Sequence, residues 1–188
     1  MNRINWIALG ACVAMLSACG GNTSGTRYED PSAMAVLEPT QGSTVHGAVD
    51  FVRKGGSVLV TANLSGLAPN STHGIHIHEN GDCTARDGSS AGGHFNPSAS
   101  ADHGGTSGSK RHGGDLGNLT ADSNGHVLTT IELDGGIAFG NGTDSIVGRG
   151  LVIHANADDL KSPPAGNSGA RLACGVITRN PDRKSTQG

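Results

Sequence analysis

No window of this 188-residue chain keeps hydrophobic residues at helical spacing for three turns. Instead, short runs rich in valine, isoleucine, leucine and threonine recur near 33–38, 44–52, 57–64, 72–78, 116–121, 126–133, 150–154 and 171–178, each bounded by turn residues. Eight such runs predict an all-β fold, an antiparallel sandwich or flattened barrel, with Gly55-Gly56 and Ser123-Asn124-Gly125 as hairpin connections. The 31 glycines exceed the usual share of about 7% and fit a chain of tight turns and ordered loops.

Two connections break the regular spacing, one from about Glu79 to Asp115 and one from Ala155 to Ala170. Loops of that length in a compact domain usually carry function. The first is dense in glycine and offers too little apolar surface to order itself by burial, so metal ions together with a disulfide are expected to pin it.

Chemistry concentrates in histidine. Gly74-Ile75-His76-Ile77-His78 alternates strictly, which puts both imidazoles on one face of a strand, roughly 7 Å apart, and the isoleucines on the other. Further along stand Gly92-Gly93-His94-Phe95-Asn96-Pro97, His103-Gly104-Gly105, His112-Gly113-Gly114-Asp115 and Leu151-Val152-Ile153-His154. Imidazoles suit copper and zinc, and three of them with a carboxylate suit a closed tetrahedral zinc site. Residues are sufficient for one site of each kind.

The N-terminus runs from a basic start at Arg3 through an apolar stretch, Trp6 to Leu16, into small residues, the layout of an export signal. Leu16-Ser17-Ala18-Cys19 resembles the lipobox of bacterial lipoproteins, where cleavage before the cysteine leaves its sulfur to be acylated. Residues 1–18 are therefore expected to be removed, Cys19 to carry a membrane lipid anchor in the cell envelope or periplasm, and 19–32 to act as a flexible spacer. The domain is expected over 33–178, with a polar tail at 179–188. Cys12 leaves with the signal and Cys19 is used for lipid, so Cys83 and Cys174 remain; an oxidising compartment permits their bond, with two free buried thiols as the alternative. The net charge of −3 becomes about −4 without Arg3, which argues against nucleic acid as a partner.

Taken together, Gly-Ile-His-Ile-His-Glu-Asn-Gly-Asp-Cys at 74–83, Gly-Gly-His-Phe-Asn-Pro at 92–97, Gly-Asp-Leu-Gly-Asn-Leu-Thr-Ala-Asp at 114–122 and Gly-Asn-Ser-Gly-Ala-Arg-Leu-Ala-Cys-Gly-Val-Ile at 166–177 resemble the copper/zinc superoxide dismutase family. The resemblance covers roughly 33–178 and implies an eight-stranded Greek-key sandwich or flattened barrel. It implies that His76, His78, His94 and His154 hold one copper ion, and that His94, His103, His112 and Asp115 hold one zinc ion, with His94 shared. It implies a Cys83–Cys174 disulfide, an outer carboxylate at Asp158 orienting a histidine of each set, and Arg171 as the cation beside copper. The implied reaction is disproportionation of superoxide to dioxygen and hydrogen peroxide, with zinc structural; a homodimer is compatible with the resemblance.

His73 matches a family histidine that binds no metal and is expected to be packed and hydrogen-bonded, while His46 and His126 are expected at the surface. One departure stands out: only eleven residues separate Asp159 from Arg171, and of the family's usual acidic and lysine cluster only Lys161 remains nearby. A metal reservoir without enzymatic activity would fit a chain lacking Arg171 or a copper ligand, and a zinc hydrolase would need an open zinc position; neither pattern is present.

Overall fold

The computed structural model describes residues 31–99, 102–106 and 110–180. The expected signal, Cys19, most of the spacer and the end of the tail lie outside the described residues. Eight strands form one sheet: β1 (Pro31–Pro39), β2 (His46–Lys54), β3 (Ser57–Ser65), β4 (Thr72–His78), β5 (Asp115–Thr120), β6 (Val127–Leu133), β7 (Gly150–His154) and β8 (Arg171–Val176). Each lies within about two residues of the run that predicts it, the scatter expected where strand ends fray. A single 3-10 turn, Ser89–Ala91, is the only helical element among the described residues.

All pairings are antiparallel, in the order β5-β4-β7-β8-β1-β2-β3-β6. The chain crosses between the β1-β2-β3-β6 half and the β5-β4-β7-β8 half after β3, β5 and β6. The end strands β5 and β6 approach each other without pairing, so the sheet curls into a nearly closed, flattened barrel.

The period-2 pattern does the packing. In β3, Val58, Val60, Ala62 and Leu64 point inward with half-buried or exposed residues between them, and Ala33, Ala35 and Leu37 of β1 and Val49 and Phe51 of β2 face them. β4 and β7 differ, being buried on both faces. Ile75, Ile77, Leu151 and Ile153 join the barrel core, while His76, His78, Val152 and His154 lie under the long loops.

Two features depart from expectation. The loop from Glu79 does bury apolar residues: Phe95 joins the main core, and Ala91 packs with Val152 and Cys174. A third long connection, between β6 and β7, was not foreseen. It is ordered by burial of Ile137, Phe139 and Ile146 and by a parallel bridge between Ala138 and Ser145.

Candidate metal centre

Because side chains alternate along β4, His76 and His78 share its outer face, and pairing with β7 brings His154 beside them. The loop returns to β4 through a bridge between His78 and His94. Ring centroids of His76 and His94 lie 4.0 Å apart, and those of His76 and His154 4.8 Å apart. Each of His76, His78, His94 and His154 offers a ligand nitrogen within 4.8 Å of all the others.

The hydrogen bonds select the tautomers. His78 Nδ1 donates to the Gly92 carbonyl at 2.9 Å, His154 Nδ1 to the Gly169 carbonyl at 3.2 Å, and His76 Nε2 to Asp158 Oδ2 at 2.7 Å. The lone pairs are thereby left on His78 Nε2, His154 Nε2 and His76 Nδ1. His78 Nε2 and His154 Nε2 face each other at 3.3 Å, and His76 Nδ1 and His94 Nε2 are buried with no partner. Four converging nitrogens without protons fit a cation between them. Burial, helped by neighbouring rings, lowers His76 to about 4, and burial with the nearby charge of Arg171 takes His78 to about 2 and His154 to about 3. All three are therefore neutral near pH 7, as metal ligation requires.

A second set meets on the other side of His94. Its Nδ1 lies 2.8 Å from Asp115 Oδ1, with His103 Nδ1 at 3.0 Å and His112 Nδ1 at 3.3 Å from the same oxygen. Bonds of about 2.0 Å to a tetrahedral ion put its ligand atoms about 3.3 Å apart, close to these separations. Asp115 Oδ2 is already taken, accepting the backbone N–H groups of His112 at 2.9 Å and Gly104 at 3.1 Å. That leaves Oδ1 for a metal. The Nδ1 atoms of His103 and His112 are buried and make no hydrogen bond of acceptable geometry.

Asp158 joins the two sets. Its Oδ2 accepts from His76 and its Oδ1 from His103 Nε2 at 2.8 Å, so one buried carboxylate orients a ring on each side. The Asn118 side chain pairs with the Asp158 backbone in both directions, Nδ2 donating to its carbonyl at 2.9 Å and Oδ1 accepting from its N–H at 2.7 Å. Gly166 has φ +58°, and a Cβ there would lie 1.8 Å from Asp158 Oδ1, so only glycine lets this carboxylate reach both rings. Asn118 lies within the 114–122 motif, yet no local pattern marks it; its partner is forty residues away.

His103 sits between two carboxylates, Nδ1 toward Asp115 and Nε2 toward Asp158. Burial opposes its protonation, but the two flanking carboxylates favour it and raise it to about 9. Burial likewise works against ionisation of Asp115, and the close His103 and His94 rings, with the Gly104 N–H, overcome it, holding that carboxyl well below the usual range. A consequence is measurable. Below pH 9 a proton occupies the metal-free His103, so a metal ion taken up at that ring would have to displace it, and apparent affinity for added zinc should then rise about tenfold per pH unit before levelling near pH 9. Competition titrations of the metal-free protein across that range test this; an affinity independent of pH between 7 and 9 contradicts it.

Arg171 opens β8 opposite His154. Its Nη1 donates to the Gly88 carbonyl and its Nη2 to the Gly92 carbonyl, both at 2.6 Å, which aims a half-buried guanidinium at the edge of the first set. Cys83 and Cys174 are bonded, with Cα atoms 5.7 Å apart, closing a 91-residue separation. His73 is buried and joins neither set: its Nδ1 donates to the backbone carbonyl of His154 at 2.8 Å and its Nε2 meets the Ser71 hydroxyl, while His46 and His126 are exposed. Lys161 is exposed, and Asp159 is spent within its own loop, accepting from the N–H groups of Lys161 and Ser162 and from Asn167.

Every residue expected at the two sites thus arrives at one cluster. The family model described as copper/zinc superoxide dismutase (SODC) matches residues 45–177. Superoxide dismutase (Cu-Zn) of Paramecium bursaria Chlorella virus 1 is 42% identical over 164 residues, covering 83% of this chain and 83% of that protein. Superoxide dismutase (Cu-Zn) 2 of Aquifex aeolicus (strain VF5) is 38% identical over 153 residues, covering 79% of this chain and 88% of that protein. A matched family model over most of the chain, two relatives of nearly full coverage and a pair of histidine sets sharing one ring lead to one conclusion: this chain belongs to the copper/zinc superoxide dismutase family.

Proposed function

We propose that the protein is an exported superoxide dismutase in which His76, His78, His94 and His154 hold copper and His94, His103, His112 and Asp115 hold zinc. The observation that carries this reading is His94, whose Nδ1 belongs to one set while its Nε2, buried and unpartnered, faces the other. When bound, copper supplies the one-electron couple that converts superoxide to dioxygen and hydrogen peroxide, and zinc supplies fixed charge without redox chemistry.

The protein's own groups do the rest. His94 Nε2 is the atom that would take up a proton when copper releases it and pass that proton to the reduced product, while the zinc set would keep the ring in place. Arg171 provides a fixed cation for a small anion that offers little shape to recognise. Its two carbonyl anchors leave the guanidinium little freedom to swing away. Export and a lipid anchor at Cys19 are part of the same reading, supported by the signal-like N-terminus and by a disulfide that persists outside the cytoplasm.

The test is superoxide decay with copper and zinc counted on the same sample; activity absent at one copper and one zinc per chain, or zinc alone retained, contradicts the proposal. In that assay Arg171→Glu should slow decay roughly 10- to 100-fold, within the range of electrostatic steering, with copper content unchanged. Arg171→Lys should fall much less, and the native rate should decline as salt screens the attraction.

A further inference from the structure

The zinc loop contains a buried cation that the reaction does not use. Arg111 is 6% exposed, and its acceptors are backbone carbonyls: Nη1 donates to His112 at 3.0 Å and to Asp115 at 3.2 Å, with Gly113 at 3.5 Å, and Nη2 donates to Gly135 at 3.2 Å. The first three belong to the turn that carries His112 and Asp115, closed by the Asp115 N–H on the His112 carbonyl. The fourth belongs to the connection between β6 and β7. Gly136, at φ +81°, lies against the guanidinium, where a Cβ would come within 3.2 Å of Nη2.

The turn is gripped from two sides. Its carbonyls at His112 and Asp115 accept from Arg111, while the N–H of His112, in the preceding peptide group, holds Asp115 Oδ2. A planar fork is suited to gathering several carbonyls at once, which a lysine ammonium on a flexible stem does poorly. With those carbonyls held, the backbone from 112 to 115 keeps its turn, so the His112 N–H and Asp115 Oδ2 stay within reach of each other and Oδ1 stays aimed at the point where three Nδ1 atoms converge.

We propose that Arg111 is a positioning residue for the zinc site: it fixes the peptide turn that presents His112 and Asp115 and ties that turn to the β6–β7 connection at Gly135. The role rests on the zinc assignment above. It acts through the ligands, as outer partners of metal sites do, and loss of such a partner costs about 10- to 100-fold in affinity.

The test uses the full chain stripped of metal, titrated with zinc and separately with cobalt(II), whose visible absorption is intense in a tetrahedral site. Arg111→Ala should lower zinc affinity about 10- to 100-fold and weaken the cobalt band, while copper is still taken up to one per chain. Millimolar methylguanidinium should restore much of both, and Arg111→Lys should fall between variant and native protein. Native zinc affinity and an unchanged cobalt band in Arg111→Ala overturn the proposal. So does equal loss of zinc and copper with no rescue, which assigns Arg111 to general folding. A native protein with no tetrahedral cobalt band overturns the zinc assignment itself, and the role of Arg111 with it.

Discussion

Asp115→Ala is expected to remove zinc while sparing copper. The substitution deletes the one anionic ligand of its set and also the Oδ2 acceptor that holds the backbone of His112 and Gly104. Its effect should therefore exceed the 10- to 100-fold cost of losing an outer-shell partner, with the zinc loop loosened around it. His76, His78 and His154 keep their own hydrogen bonds to Asp158, Gly92 and Gly169, so the copper set survives with His94 less firmly held. Metal counting after equilibration with both ions, together with hydrogen exchange across 79–114, reads both effects. Zinc retained at one per chain in this variant would remove Asp115 from the ligand set.

Replacing Cys83 and Cys174 by serine should lower the stability of the metal-free domain by about 4.5 kcal/mol, from the entropy of closing a loop of this length. A loss of that size shifts the melting midpoint by roughly 10–20 °C for a domain of this size. The metal-free form is the proper comparison, because ligands that bind only the folded state add stability of their own. The bond also has a local task. It fastens the loop to β8 within the small cluster of Ala91, Val152 and Cys174, three residues along from Arg171, whose anchors Gly88 and Gly92 lie on that loop. Activity should consequently fall in the reloaded variant even where copper is full, because the guanidinium loses its fixed aim. A melting midpoint within a few degrees of the native one would show that the bond does not hold the domain together.

Alternation along the chain was sufficient for the strands, and the resemblance of its ordered motifs to the family pointed to the histidines that the structure gathers. Valine, leucine and alanine at every second position of β3 declare which face is core, and two histidines at every second position of β4 must share the other face; both are properties of neighbours along the backbone. The order of the ligand motifs along the chain was equally legible, and with it the family. What the sequence by itself determined is therefore which elements form and which side chains are available for metals. The tertiary structure alone decided how those side chains are aimed. That His76 offers Nδ1 and His78 Nε2 to the centre of the cluster depends on Asp158 and on the Gly92 carbonyl, brought from elsewhere in the chain. Asn118 acquires its task only when it meets Asp158, and Arg111 only when four carbonyls from two loops surround it. The β6–β7 connection belongs with them: Ile137 and Phe139 keep a spacing of two but stand among glycines that break up a strand signal, and only the closed barrel gives them and Ile146 something to bury against. Hydrogen-bond direction and loop burial arise between residues distant in sequence, so no local pattern encodes them.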